Sequence, residues 1–398
     1  MLLSRTTSAP AVPLSRVWLA AWPVTAVFVL SNAATPLYVL WQHRIGFSRG
    51  TLTVVFACYI VGLLGALPVA GIASDRLGRR PVLVPALGAA LVACGLFATA
   101  SSVAALMAAR LLTGIAVGAA VSAGMAAVTD VAGPERRRLA ALLASTAMVF
   151  GAGLGPLLAG VLSEVGPAWT VFAVEAVLLV SAIAVVVRMP LERPAGDARG
   201  TGWVRVPGVP RPNRRDLAMG IAVFAPGITA TSFVLSLGPS LLAGMLGTGN
   251  RIVAGATAFV MFSAATGVQF AVRGLARRTI LLAGAASTLA AMGVLVLAVH
   301  ERELVPLVAA AVLAGAGQGL GQLGGLSLLN ANVPARRLAE ANAALNTGGY
   351  LLAGTLPVAA GYLSDPFGLA TGSTVFAAVV AVLAASGAAV VATASTRR

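Results

Sequence analysis

Residues 51–72 read TLTVVFACYIVGLLGALPVAGI, 22 positions without a charge. The stretch that closes this run, Gly71-Ile-Ala-Ser-Asp75-Arg76-Leu-Gly78-Arg79-Arg80, then places four charges within six positions, and residues 82–100 are apolar again. A helix rises about 1.5 Å per residue, so roughly 20 apolar residues cross the ~30 Å hydrocarbon core of a bilayer. A block long enough to span, a short charged break and a second such block predict two membrane helices joined by a tight loop.

The same rhythm extends in both directions. Of 398 residues, 59% are hydrophobic and 10% charged, and mean hydropathy is +0.94. Soluble domains carry about 25% charged residues, so polar surface is too scarce here for water-soluble globules. Apolar runs between Arg, Gly-Pro and acidic breaks predict twelve spans in an all-α membrane protein. The first six are 17–40, 51–72, 82–100, 103–128, 139–162 and 168–187. The second six are 217–242, 252–272, 279–299, 305–329, 341–363 and 370–393. Met1 to Ser15 lacks a secretory apolar region with a cleavage site, so the first block is expected to stay in the mature chain.

The net charge of +15 comes entirely from arginine, since the chain contains no lysine. The arginines crowd the breaks between spans rather than forming a basic face, which argues against nucleic acid and for the positive-inside rule. With a cytoplasmic N-terminus, 22 arginines fall on the cytoplasmic side and 4 (Arg44, Arg49, Arg251 and Arg302) outside, with Arg110 left inside the fourth span. Both termini are therefore expected in the cytoplasm, in a multi-pass protein of the cytoplasmic membrane.

The Pro-, Gly- and Arg-rich segment 189–215 cannot bury itself and is read as a linker. It separates an N-terminal six-helix half, 1–188, from a C-terminal half, 216–398. Two repeats suggest duplication: Pro156-x-x-x-Gly160 recurs as Pro357-x-x-x-Gly361, and Arg79-Arg80 recurs as Arg277-Arg278. Parallel halves with a substrate site between them near the midplane are a recurrent transporter architecture.

Catalytic and metal chemistry find little support. Cys58 and Cys94 form no CxxC pair, His43 and His300 are far apart, and no HExxH, Gly-x-Ser-x-Gly or paired intramembrane carboxylates occur. Neither a cofactor nor a metal is expected, and an intramembrane enzyme or a non-transporting scaffold is disfavoured.

The stretch from Gly71 to Arg80 resembles the loop 2–3 motif of the major facilitator superfamily, usually Gly-x-Leu-Ala-Asp-Arg-x-Gly-Arg-Arg, with Ala73 in place of Leu. In the fourth span, Leu106-x-x-x-Arg110-x-x-Thr113-Gly114 resembles a second motif of the family, with Thr113 where Gln is frequent. In the fifth, Gly151-Ala-Gly153-Leu-Gly155-Pro156-Leu-Leu-Ala159-Gly160 resembles its antiporter motif, with Ala159 for one Gly. Small residues four apart permit close helix contact, and Pro156 removes a backbone hydrogen bond. The loop copy in the second half has Arg273 where the first has Asp75.

The resemblance implies a secondary transporter like the twelve-span drug/proton antiporters. It would act as a monomer, exporting an amphiphilic compound by alternating access in exchange for protons. Uptake of a sugar or organic acid by symport or uniport is the alternative. The resemblance also places spans one, four, seven and ten around the cavity, which nominates Asn32, Tyr38, Arg110, Thr231, Phe233, Gln318 and Gln322 to meet substrate. Each of these can instead serve an interhelical hydrogen bond. Gating falls to Gly71, Asp75, Arg76, Gly78, Arg79 and Arg80, with Asp75 near the start of span eleven and Arg79 or Arg80 meeting Asp130. Asn32 stands where many drug/proton antiporters carry an acid. The proton-coupling candidate is instead Glu175, the one acid deep in a predicted span, about 10 Å from the helix end. It either exchanges a proton or bonds a neighbouring helix.

Overall fold

The computed structural model describes residues 13–189, 191, 207–245, 247, 249–272, 274–334 and 337–394. Arg273 and most of the 189–215 segment lie outside the described residues, as do both chain ends.

Among the described residues there are helices and no strands. They are α1 (Leu14–Ala33), α2 (Tyr38–Ile45), α3 (Arg49–Leu77), α4 (Arg80–Ala98), α5 (Val103–Ala119), α6 (Met125–Ala132), α7 (Arg137–Val165) and α8 (Trp169–Arg188). Then come α9 (Arg214–Met245), α10 (Arg251–Ala271), α11 (Arg277–Glu301), α12 (Leu304–Asn332) and α13 (Leu338–Ala394). Among the described residues, eleven helical stretches are long and apolar enough to cross a membrane, against twelve expected. The difference lies in α13, whose 57 residues include a non-helical Gly368 at φ 84°, ψ 159°. That backbone geometry is open to glycine and costly for other residues, and it falls between the expected spans 341–363 and 370–393.

Two expected spans are continuous in sequence but irregular in structure. The first breaks at Thr35–Leu37, a 3-10 turn with Pro36 near its start, before resuming as α2. Proline lacks the donor that an uninterrupted helix needs and disfavours helical backbone before it. The fourth passes through a π turn at Ala120–Gly124 between α5 and α6. At the starts of α3, α5 and α10, the side chains of Ser48, Ser102 and Asn250 accept backbone N–H groups of the first turn, satisfying donors that have no partner within the helix.

Hydrophobic burial cannot drive helices together in lipid, so close backbone packing must do more of the work. Gly62 faces the Leu111 carbonyl and Gly114 the Tyr59 carbonyl where α3 meets α5; Gly315 and Gly319 face carbonyls of Met261 and Ala265 where α12 meets α10. Outward-pointing Val165, Val177, Val305 and Val382 are 65–83% exposed, a surface suited to acyl chains rather than water. Among α1–α8, α1 packs on α7 and α8, and α3 on α5; among α9–α13, α9 packs on α12 and α13, and α11 on α12 and α13. Helices from before and after the 189–215 segment meet most extensively along two seams, α3 with α13 and α7 with α10, with smaller contacts of α2 and α3 on α9.

Candidate functional site

Arg110 of α5 is completely buried. Its Nη1 donates to the Ser31 carbonyl at 2.6 Å. The guanidinium carbon sits 5.0 Å from the ring centre of Phe56, 5.1 Å from Tyr59 and 5.7 Å from Tyr38, distances at which ring faces attract a cation. Among the described atoms, Arg110 Nε and Nη2 and the Tyr38 hydroxyl have no hydrogen-bond partner. A charge in a membrane helix costs roughly 2.5–3.5 kcal/mol on insertion scales. Here aromatic faces and one carbonyl offset part of that cost, and spare donors remain. The sequence identified Arg110 and Tyr38; Ser31, Phe56 and Tyr59 were missed because their roles depend on how α1 and α3 pack against α5.

The other cavity candidates are more dispersed. Asn32, buried in the last turn of α1, donates through Nδ2 to Ser31 Oγ at 3.1 Å and to the Ala152 carbonyl at 3.5 Å. Thr231 donates to the Ile228 carbonyl of its own helix α9. Phe233 stacks on Phe376 with ring centres 4.2 Å apart. Gln318 and Gln322 of α12 are both half-buried, and Gln318 Oε1 has no partner among the described atoms. A cavity of about 480 Å³ lies elsewhere, lined in part by Leu40, His43, Glu164, Leu242, Arg251 and Ala254. None of the seven candidates lines it.

At the α3–α4 loop, Gly78 ends α3 with φ 95°, and Arg79 reaches three oxygens. It bonds Asp75 at 2.8 Å, Asp130 at 2.9 Å and Ser74 Oγ at 2.7 Å. Burial would lower the Arg79 pKa, but the hydrogen bonds to Asp130 and Asp75 outweigh it and the net shift is upward. Arg80 instead donates to the Met189 carbonyl at 2.8 Å. Arg79, rather than Arg80, therefore meets Asp130. Gly71 lies half-buried in α3, its nearest neighbour across the packing being Ser122, and Arg76 sits in the last turn of the same helix.

The Gly-Pro segment of α7 presents two faces. A Cβ at Gly151 or Gly155 would strike α1, at the Thr25 or Val29 carbonyl. One at Gly160 would strike the Arg251 carbonyl at the start of α10, and one at Gly255 of α10 would strike the Pro156 carbonyl. Glu175 is 2% exposed, with Oε2 unpartnered among the described atoms. Its helix α8 packs on α1 and α4, and its Phe172 stacks with Phe97 of α4 and Trp41 of α2, ring centres 5.0–6.0 Å apart.

The profile described as Major Facilitator Superfamily matches residues 17–305. The chain belongs to this superfamily of transporters. Multidrug resistance protein MdtL of Escherichia coli is 28% identical over 116 residues, covering 28% of this chain and 30% of MdtL. Major facilitator superfamily domain-containing protein 10 of Homo sapiens is 30% identical over 141 residues, covering 32% of this chain and 31% of the relative. The match thus spans about a third of the length of these curated relatives. Similar solved structures extend over nearly the whole fold. A mutant of the nucleoside transporter NupG superposes with a TM-score of 0.76 at 12% identity, covering 94% of this chain and 99% of its own. A bacterial homologue of the human lysosomal transporter Spinster, inward-facing and unoccupied, gives 0.74 at 14% identity, covering 97% and 98%. At such identities the likeness is one of fold. The chain is a multi-pass membrane protein of a transporter family.

Proposed function

We propose that this superfamily member exports a small, neutral or anionic amphiphilic compound across the cytoplasmic membrane in exchange for protons. It does so as a monomer with both termini in the cytoplasm, by alternating access between halves 1–188 and 216–398 joined by the 189–215 linker. The observation that carries the substrate class is the Arg110 cluster, in which a buried cation ringed by Tyr38, Phe56 and Tyr59 keeps two nitrogens unpartnered and has no acid among its described partners. Such a group favours hydrogen-bond acceptors and apolar rings over cations. Asn32, Thr231, Phe233, Gln318 and Gln322 complete the proposed substrate path. Gly71, Asp75, Arg76, Gly78, Arg79, Arg80 and Asp130 form the proposed gate beside the linker, and Glu175 the proposed proton carrier. Export is favoured by the antiporter-like Gly151-to-Gly160 segment and by the partial similarity to MdtL, a protein named for multidrug resistance.

The second reading is uptake of a sugar, an organic acid or a related polar solute by symport or uniport. The fold shared with the nucleoside transporter NupG supports it. One experiment separates the two: accumulation of a panel of labelled amphiphiles, sugars, organic acids and nucleosides in cells with and without the protein, repeated after the proton gradient is collapsed. Lower accumulation of an amphiphile that depends on the gradient is expected. Higher accumulation of a polar solute would replace export with uptake.

A further inference from the structure

The two largest seams between the helices before and after the 189–215 segment end in the same arrangement. Where α13 meets α3, Asp365 accepts the backbone N–H of Arg49 at 2.9 Å through Oδ1 and that of Gly50 at 3.2 Å through Oδ2. Arg49 also returns a hydrogen bond from Nη1 to the Ser364 carbonyl at 3.3 Å. Where α7 meets α10, Glu164 Oε1 accepts the backbone N–H of Arg251 at 2.8 Å and its Nε at 3.1 Å. In each case a carboxylate from one half holds the first turn of a helix from the other.

The helix N-terminus supplies unsatisfied N–H groups and a partial positive charge, and the arginine at its first position adds a full one. The helix's own cap covers later donors: Ser48 takes Thr51 N–H, and Asn250 takes Ile252 and Val253 N–H. The earliest donors are thus left for the carboxylate across the seam.

The pairing is written twice in the chain. Pro156-Leu-Leu-Ala-Gly160-Val-Leu-Ser-Glu164 aligns with Pro357-Val-Ala-Ala-Gly361-Tyr-Leu-Ser-Asp365, and Ser48-Arg49 aligns with Asn250-Arg251. The glycine in each copy makes room for the partner helix. A Cβ at Gly160 would meet the Arg251 carbonyl, and one at Gly361 would meet Thr53 and the Arg49 carbonyl. These contacts lie at the end of the bundle remote from the linker, and Glu164 and Arg251 also line the 480 Å³ cavity there.

The geometry points to Glu164 and Asp365 as a twinned gate: two duplicated carboxylate clamps that hold the halves closed at the end remote from the linker and must both release for that end to open. This gate rests on the alternating-access reading and adds residues that the family motifs quoted above do not include. With Cys58→Ser and Cys94→Ala as background, spin labels at Ser101→Cys and Glu303→Cys would report separation of the halves at this end in lipid nanodiscs, without substrate.

A Glu164→Ala, Asp365→Ala pair is expected to add a population at longer distance than the parent. A Glu164→Gln, Asp365→Asn pair, whose neutral oxygens still accept but more weakly, should add a smaller one, and Glu164→Asp, Asp365→Glu should stay near the parent. Parental distances in the alanine pair would overturn the gate. If the alanine pair does not assemble, parental distances in the amide pair would do so. Because no substrate is present, a longer distance together with failure to find any exported compound would uphold the gate and sink the export reading alone.

Discussion

The two ends of the bundle are tied by charge in different ways. Beside the linker, Arg79 joins Asp75 and Asp130, all from helices before the linker. At the remote end, Glu164 and Asp365 join helices on opposite sides of the linker. On the alternating-access proposal, a contact between halves must break when they part, whereas a contact within one half sets the shape in which that half presents its gate. The same division runs along α7, where Gly155 packs within its half against α1 and Gly160 across the seam against α10. On that proposal the two glycines, five residues apart, would serve stability and conformation separately.

The largest effect is expected at Gly155. Gly155→Leu forces a side chain into the Val29 backbone; overpacking costs about 1–3 kcal/mol, and backbone is the neighbour least able to yield. Thermal unfolding in detergent should show a clear loss of stability, and a parental melting temperature would erase the proposed contrast. Gly160→Leu, which pushes on the Arg251 carbonyl instead, should lower the melting temperature less while lengthening the Ser101–Glu303 spin-label distance. If the two variants behave alike, α7 does not have two separate faces.

Smaller effects follow for the charges. Glu175→Gln keeps shape and removes the ionisable group, so gradient-driven transport is expected to fall while gradient-independent exchange of substrate persists. Parental rates under a pH gradient would make Glu175 structural. Asp75→Asn should leave folding nearly unchanged, because its carboxylate is 47% exposed and exposed ion pairs contribute about 0.2–1 kcal/mol. Turnover should nevertheless drop, since Arg79 then has Asp130 as its one remaining carboxylate among the described ion pairs. Normal turnover in a well-expressed Asp75→Asn protein would count against gating at this end.

Much of the fold is legible because lipid imposes a simple rule: apolar length sets the spans, and the Arg-rich breaks set the turns. A contact of Asp130 with Arg79 or Arg80 was also expected, through the loop 2–3 resemblance. The break at Thr35–Leu37 was harder to see, since Pro36 sits within apolar neighbours and proline is tolerated inside membrane helices, as Pro23 and Pro68 are here. Glu164, Asp365, Arg49 and Arg251 read individually as ordinary charges at span ends. Their signal was the duplication. Extending the Pro-x-x-x-Gly register by four residues brings Glu164 over Asp365, but only the packing of α7 on α10 and of α13 on α3 reveals what each carboxylate holds. The aromatic ring around Arg110 was invisible for the same reason, because Phe56 and Tyr59 lie three apart in a helix that is apolar on every side.

The most direct test of exchange transport uses the purified protein in proteoliposomes with an imposed pH gradient and an amphiphile identified in the cell panel. That compound is expected to move against its own concentration gradient, opposite to proton flow, and to collapse to simple equilibration when an ionophore removes the pH difference. Movement in the same direction as protons, or equilibration unaffected by the gradient, would contradict it.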